Sequence, residues 1–227
     1  MNEADIYREW EPPPEWRHAV ACLWEQRVGT ERVQRVVPDG HADLLVHDTG
    51  VIEVVGVQDR VALPVLDAGT RLFGVRIRPA AVAPAFRTSA SSLLNRTLPA
   101  EDVVGTRLAR RLLAPAGLDA WLRSIEPDRR ATLALRLLAT HSVGQVADRM
   151  GMTSRQLQRV LRAEVGLAPK TYQRVARLQR FLRGADAGRA LAAAGADAGY
   201  ADQAHLTRDV RRLTGLTPAR LVAERRA

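Results

Sequence analysis

Two stretches of the C-terminal half are versions of one another, and this repetition constrains the fold of the 227-residue chain more than any other feature. Ala147-Asp148-Arg149-Met150-Gly151, followed by Thr153-Ser154-Arg155-Gln156-Leu157-Gln158-Arg159, has its counterpart in Gly195-Ala196-Asp197-Ala198-Gly199, followed by Asp202-Gln203-Ala204-His205-Leu206-Thr207-Arg208. Gly151 matches Gly199, Leu157 matches Leu206 and Arg159 matches Arg208. Gly166 with Gly215 and Pro169 with Pro218 continue the correspondence, with one extra residue in the second turn. Each copy reads as helix, glycine turn, helix. One such unit is a common shape, whereas two in tandem on a basic background predict a grip on duplex DNA at two neighbouring grooves.

The charge is distributed accordingly. Residues 1–128 carry 15 basic against 18 acidic side chains and residues 129–227 carry 19 against 7, so the net charge of +9 comes wholly from the C-terminal part. Such asymmetry predicts two domains, each with its own core, the basic one binding a polyanion whose neutralised phosphates release counterions. A membrane surface also attracts positive charge, but an interfacial helix would show a wide Leu, Phe or Trp face, and the basic half has none. No apolar run approaches the roughly 18 residues of a membrane span. Lys170 is the single lysine, and the arginines that replace it elsewhere can bind guanine or phosphate through two N–H groups at once. Cys22 is the only cysteine, which excludes an intrachain disulfide. With no apolar signal stretch at the N-terminus, a reducing cytoplasm is expected.

The N-terminal half predicts a small α+β domain over residues 1–126. From Val28 to Arg78 the pattern is that of antiparallel strands, with Leu44–Val46, Val51–Val55 and Leu72–Arg78 separated by the turns Pro38-Asp39-Gly40 and Asp48-Thr49-Gly50. After Pro79, short helices are expected over Ala80–Phe86, Val103–Leu113 and Leu118–Ser124. No catalytic constellation stands out, and no enzyme activity, metal or other cofactor is expected. His41, Asp43 and His47 share a strand face, a spacing that fits a structural role better than a metal site. The aromatic content of this half makes an apolar ligand site conceivable, with Trp10, Trp24 and Phe73 as effector-binding candidates and Arg76 for an anionic group. The same rings can simply fill a core.

Helical patterning dominates from Arg129. The first helix-turn-helix is expected over about 143–164, with Thr153 as N-cap and Leu157, Val160 and Leu161 facing inward. A linker helix is expected over about 169–184, entered through Pro169, with Arg174, Arg177, Arg180 and Arg183 outside. The second helix-turn-helix should span about 189–213, with Asp202 as cap. The N-terminal part of the second helix of each unit enters a major groove. Arg155, Gln158 and Arg159 lie at i, i+3 and i+4 on one stripe, and suit guanine and adenine edges.

These residues resemble the DNA-binding domain of AraC/XylS-type bacterial transcriptional regulators. The resemblance covers roughly Thr132–Val222 and is most specific in Gly199-Tyr200-Ala201-Asp202-Gln203-Ala204-His205-Leu206-x-Arg208 with Gly215-x2-Pro218. It implies an all-α domain over 127–227, in which two subdomains bridged by a long helix read successive major-groove segments of promoter or operator DNA. Base contacts would come from Arg155, Gln158 and Arg159 and from Gln203, Ala204, His205 and Arg208. Backbone contacts would come from Thr153, Arg162, Lys170, Thr207, Arg211 and Arg212. Gly195 stands where the family pattern has alanine, at a cost of up to about 1 kcal/mol to that helix. The N-terminal half is similar, more loosely, to a short sensory-type domain through Val37-Pro38-Asp39-Gly40-x2-Asp43-Leu44 and Gly74–Pro79.

The expected protein is a cytoplasmic transcription regulator, monomeric or homodimeric, responsive to a small-molecule effector and able to engage RNA polymerase. Two alternatives stand beside it. One is an architectural DNA binder with an N-terminal dimerisation domain. The other is an alkylation-repair regulator using Cys22, which lacks the cysteine cluster that would activate a thiolate.

Overall fold

The computed structural model describes residues 5–226. Among the described residues up to 100, eight strands lie at β1 (Ile6–Trp10), β2 (Val20–Arg27), β3 (Arg32–Val33), β4 (Ala42–His47), β5 (Ile52–Val55), β6 (Val65–Leu66), β7 (Arg71–Ile77) and β8 (Thr97–Pro99). Six form one antiparallel sheet in the order β1-β2-β7-β4-β5-β8, and β3 pairs with β6 in a separate ribbon that the Val36–Ala62 bridge extends. The turns at Pro38–Gly40 and Asp48–Gly50 fall on either side of β4, as expected. Two strands lie upstream of Val28, where strands were expected to begin. One of them, β2, pairs with both β1 and β7. It is covered on both faces, so it shows no clean alternation, and Gln26 is buried within it by a hydrogen bond to Gln34.

The register places Leu23, Leu44, Val54 and Val75 on one face of the sheet. That face packs against α1 (Val82–Phe86) and α4 (Pro115–Arg123), with α2 (Ala100–Val104) and α3 (Thr106–Leu112) between them in sequence. Phe86 and Trp121 meet at 6.1 Å, and the indole N–H of Trp121 donates to the Ala85 carbonyl. Burying these large side chains is the main stabilising contribution of this half, about 1.5–3 kcal/mol for each fully buried one.

Among the described residues seven helices follow: α5 (Arg129–Leu138), α6 (Val143–Arg149), α7 (Ser154–Val165), α8 (Pro169–Asp186), α9 (Leu191–Ala198), α10 (Gln203–Thr214) and α11 (Pro218–Arg226). The glycine turns that announce each unit adopt the left-handed backbone they require, φ +63° at Gly151 and +90° at Gly199. Between the units, α8 runs 18 residues, about 27 Å.

Buried side chains form two clusters. One joins Ala131, Ala134 and Leu138 of α5 to Val146, Leu157 and Leu161, with Ala80 from the N-terminal half. The other runs without a break from the sheet into α8, α9, α10 and α11. Glu126 and Pro127, where a domain boundary was expected, lie between α4 and α5.

Candidate nucleic-acid interface

The local sequence builds the first reading helix. Thr153 accepts from the backbone N–H of Gln156 at 3.2 Å while the Gln156 side chain accepts from the Thr153 N–H at 2.8 Å, a reciprocal cap worth about 1 kcal/mol. Ser142 and Gln145 repeat the arrangement at the start of α6. Leu157, Leu161 and Val165 are buried, which turns Arg155, Arg159 and Arg162 to solvent and leaves Gln158 half-buried beside them. Arg155, Gln158 and Arg159 are thus brought to one exposed stripe. Thr153 stands at its N-terminal end, where α7 offers unpaired N–H groups to an anion.

The second reading helix is built differently. Asp202 caps it through the His205 N–H at 2.6 Å, but α9 before it starts at Ala190 with no side-chain cap. Leu206, Val210 and Leu213 are buried, and Gln203, Ala204, Arg208, Arg211 and Arg212 are exposed, with Thr207 half-buried. Gly195 sits on the buried face of α9, and a Cβ there would lie 3.0 Å from Leu206 Cδ2. The missing methyl therefore lets α9 approach α10 closely, which offsets the loss of helix propensity expected from sequence.

His205 departs from the expected role. Its Nδ1 accepts from the Ala201 N–H at 3.4 Å, its Nε2 lies 3.1 Å from Arg177 Nη1 and 3.5 Å from Asp209 Oδ2, and its ring meets Tyr200 edge-on. Both ring nitrogens are engaged within the protein, which leaves Gln203, Ala204 and Arg208 as the outward-facing residues among the base-contact candidates of this helix. Arg174 and Arg177, expected outside, are half-buried, whereas Arg180 and Arg183 are exposed. Sequence reasoning missed Arg177, Tyr200 and Asp209; the signal was an aspartate one turn after His205 on a helix face that is otherwise apolar.

The N-terminal half holds the two units by different means. Gly166, at the end of α7, lies against the Ala90 carbonyl, and α7 packs on α1 and on the 3₁₀ turns Pro79–Ala81 and Ala90–Leu93. The second unit shares the apolar cluster that runs from the sheet, and polar contacts are added to it. The Val61 N–H donates to the Leu213 carbonyl at 2.8 Å, and Arg35 donates to the Thr214 carbonyl at 2.8 Å and to Glu224 at 2.7 Å. These N–H groups satisfy carbonyls that the last turn of α10 leaves unpaired. Gln179 of α8 donates to the Pro38 carbonyl at 2.7 Å, and Tyr172 lies against Gly40.

The proposed effector residues are not brought together. Strand register places Trp24 and Arg76 on one sheet face and Phe73 on the other, where Trp10 stacks with it at 6.1 Å. Trp24 covers Gly74 and donates to Asp43 at 2.8 Å. Arg76 is enclosed by carboxylates, with Glu9 at 3.0 Å, Asp43 at 3.3 Å and Asp39 at 3.6 Å. Burial raises the Asp39 carboxyl, but the hydrogen bond from His41 and the charges of His41 and Arg76 outweigh it and hold the group down at about 2. Burial prevails at Asp43, which is raised. His47 pairs with Glu53 at 2.8 Å, away from Asp43 and its partners. Burial also pushes the Cys22 thiol up to about 11, which removes the thiolate that a methyl acceptor needs.

Two helix-turn-helix units with exposed basic reading faces, joined by one helix, define a DNA-binding transcription regulator. Residues 146–224 match a family described as "Helix-turn-helix domain". Residues 8–99 match a domain of unknown function (DUF6597). No curated protein matches the chain. Among solved structures, an apo single-site variant of ToxT from Vibrio cholerae is similar at 8% identity over 98% of each chain, with a TM-score of 0.45. A second ToxT structure from Vibrio cholerae is similar at 10% identity over 87% of this chain and 91% of that one, with a TM-score of 0.42. Among the described residues no helix is long and apolar enough to cross a membrane.

Proposed function

We propose that this protein is a sequence-specific, cytoplasmic transcription regulator that reads two successive major-groove segments of a promoter, one with α7 and one with α10. The observation that carries this reading is the matched pair of exposed reading stripes on one covalent bridge: Arg155, Gln158 and Arg159 in the first unit, and Gln203, Ala204 and Arg208 in the second. Thr153, Arg162, Lys170, Thr207, Arg211 and Arg212 supply backbone contacts, which set affinity and register while the stripes set specificity. Residues 127–227 act as the DNA-binding part and residues 1–126 as the part that regulates it. An effector acting on the N-terminal half would reach α10 through Arg35 and Val61 and α8 through Pro38. RNA polymerase is the expected protein partner at a promoter. Footprinting on a duplex selected from a random pool tests the reading. Two protected major-groove segments on one face of the duplex are expected, and a single segment overturns it. A thermal-shift screen against apolar and anionic metabolites tests the effector, since a ligand of the folded state raises its stability.

A second reading, an architectural binder that dimerises through its N-terminal half, is favoured by one observation. Val33, Leu63 and Val65, on and beside the β3–β6 ribbon, are 61%, 51% and 62% exposed, and such apolar patches mark contacts. A sedimentation measurement separates the two, because a Val65→Asp variant that stays dimeric, or a wild type that is monomeric at micromolar concentration, excludes this ribbon as the dimer contact.

A further inference from the structure

Lys170, Arg174 and Arg177 stand at i, i+4 and i+7 of α8 and form one wall of a cleft of about 400 Å³, whose other wall is His205 and Asp209 of α10. Asp209 is 8% exposed, and its Oδ2 has no hydrogen-bond partner. The nitrogens nearest the carboxylate stay at 3.5 Å (His205 Nε2 to Oδ2), 3.8 Å (Arg174 Nε to Oδ1) and 3.9 Å (Arg177 Nη1 to Oδ2), too long for direct hydrogen bonds. Arg177 is also held over the Tyr200 ring at 5.5 Å. A carboxylate so placed offsets the repulsion between the two guanidiniums and fixes them, yet leaves most of their five N–H donors each unspent. Among the described residues Lys170 has no ion pair, so three cations face the cleft against one acid.

We propose that this cleft binds a phosphodiester of the DNA backbone between the two reading helices, with Lys170, Arg174 and Arg177 as its ligands and Asp209 as the residue that positions the two arginines. The inference rests on the tandem reading proposed above. A duplex engaged in two successive major grooves presents the backbone between them to the bridging helix, and the cleft lies at that bridge, beside the reading face of α10. DNA is the source favoured over a free anion because the cleft opens between the bridging helix α8 and the reading helix α10.

The test uses the full chain and a selected duplex in which single phosphates between the two protected segments are replaced by neutral methylphosphonates. One or two adjacent positions are expected to weaken the wild type by about three- to tenfold while leaving Arg174→Gln and Lys170→Gln unaffected, and each variant should lower the salt slope by about one. Equal losses in wild type and variants, or an unchanged slope, overturn the proposal. Lys170 is exposed, so Lys170→Gln carries the test if Arg174→Gln does not fold. Asp209→Asn should shrink the methylphosphonate penalty at the same position, a discrimination that a purely structural role would leave intact; an unchanged penalty overturns its positioning role. If millimolar inorganic phosphate raises the melting temperature of the wild type but not of Arg174→Gln, and no methylphosphonate position is sensitive, a free anion is the ligand and the DNA assignment fails. A footprint with only one protected segment fails the parent reading whatever happens at the cleft.

Discussion

The two helix-turn-helix units share a sequence pattern but are held together by different physics. In the first, both helices begin with reciprocal side-chain caps, the short helix buries Ala147, and α7 is seated on apolar turns of the N-terminal half. In the second, α9 lacks a side-chain cap, Gly195 replaces the buried methyl, and the end of α10 is completed by Val61 and by Arg35, whose partner Glu224 is 189 residues away. A reading helix whose N-terminus is closed by its own side chains, as α7 is, keeps that cap whatever the N-terminal half does. One whose terminal carbonyls are satisfied by the N-terminal half moves when that half moves. We propose that the first unit supplies the more constant affinity and the second the more adjustable binding.

The largest expected effect bears directly on this difference. Arg159→Ala and Arg208→Ala should each cost about 1–3 kcal/mol on the selected duplex in a titration, with the greater loss for Arg159. A larger loss for Arg208 would reverse the ranking of the units, and equal losses on random DNA would show contact with phosphate alone. Next comes the anchor beneath the linker helix, where the turn Pro38–Gly40 meets α8. The Asp39 carboxyl is held down at about 2, so its pairing stabilises the folded state above about pH 4 and is lost as pH falls towards 2. Asp39→Asn should therefore cost about 2 kcal/mol at neutral pH and only a small fraction of that near pH 2, measured by denaturant unfolding. Asp43 is raised and shifts stability in the opposite sense, so the difference between wild type and variant, rather than the wild-type curve, is the measure.

A smaller effect should follow from releasing α10. Arg35→Ala is expected to weaken binding about tenfold, or about 1.4 kcal/mol, with protection lost at the second segment and kept at the first. Uniform loss at both segments would remove the asymmetry, and tighter binding would mean that Arg35 holds α10 off the duplex. The smallest change is an exchange between the short helices. Ala147→Gly should lower stability by about 1 kcal/mol, whereas Gly195→Ala should change it by less than about 1 kcal/mol, because helix propensity and the contact with Leu206 oppose one another. A clear gain from Gly195→Ala would show that Leu206 yields freely and that the glycine is not there for packing.

The helical part was readable because its signals are local. Periodicity, the cap residues Thr153 and Asp202, the turn glycines and Pro169 each act within a few residues, and the helices lie close to where these place them. Pro218 opens a further helix, α11, which the repeat alone did not mark out. Strand β2 was missed because burial on both faces erases the alternation that reveals a strand. For His205 and Arg76 the partners were missed for a related reason. Each was judged on its own element, whereas its partners, Arg177 and Asp209 for one and Glu9, Asp39 and Asp43 for the other, lie partly or wholly on different elements.

From sequence alone came the tandem architecture, the concentration of positive charge around it and the stripes Arg155–Arg159 and Gln203–Arg208, since helix periodicity and net charge are properties of neighbouring residues and of sums. Only the tertiary structure decided that the two units are supported unequally, that His205 turns towards the linker helix, and that Arg35 and Val61 complete α10. These depend on which carbonyls are left unpaired and which distant donors can reach them, and no sequence pattern encodes that before the chain has folded.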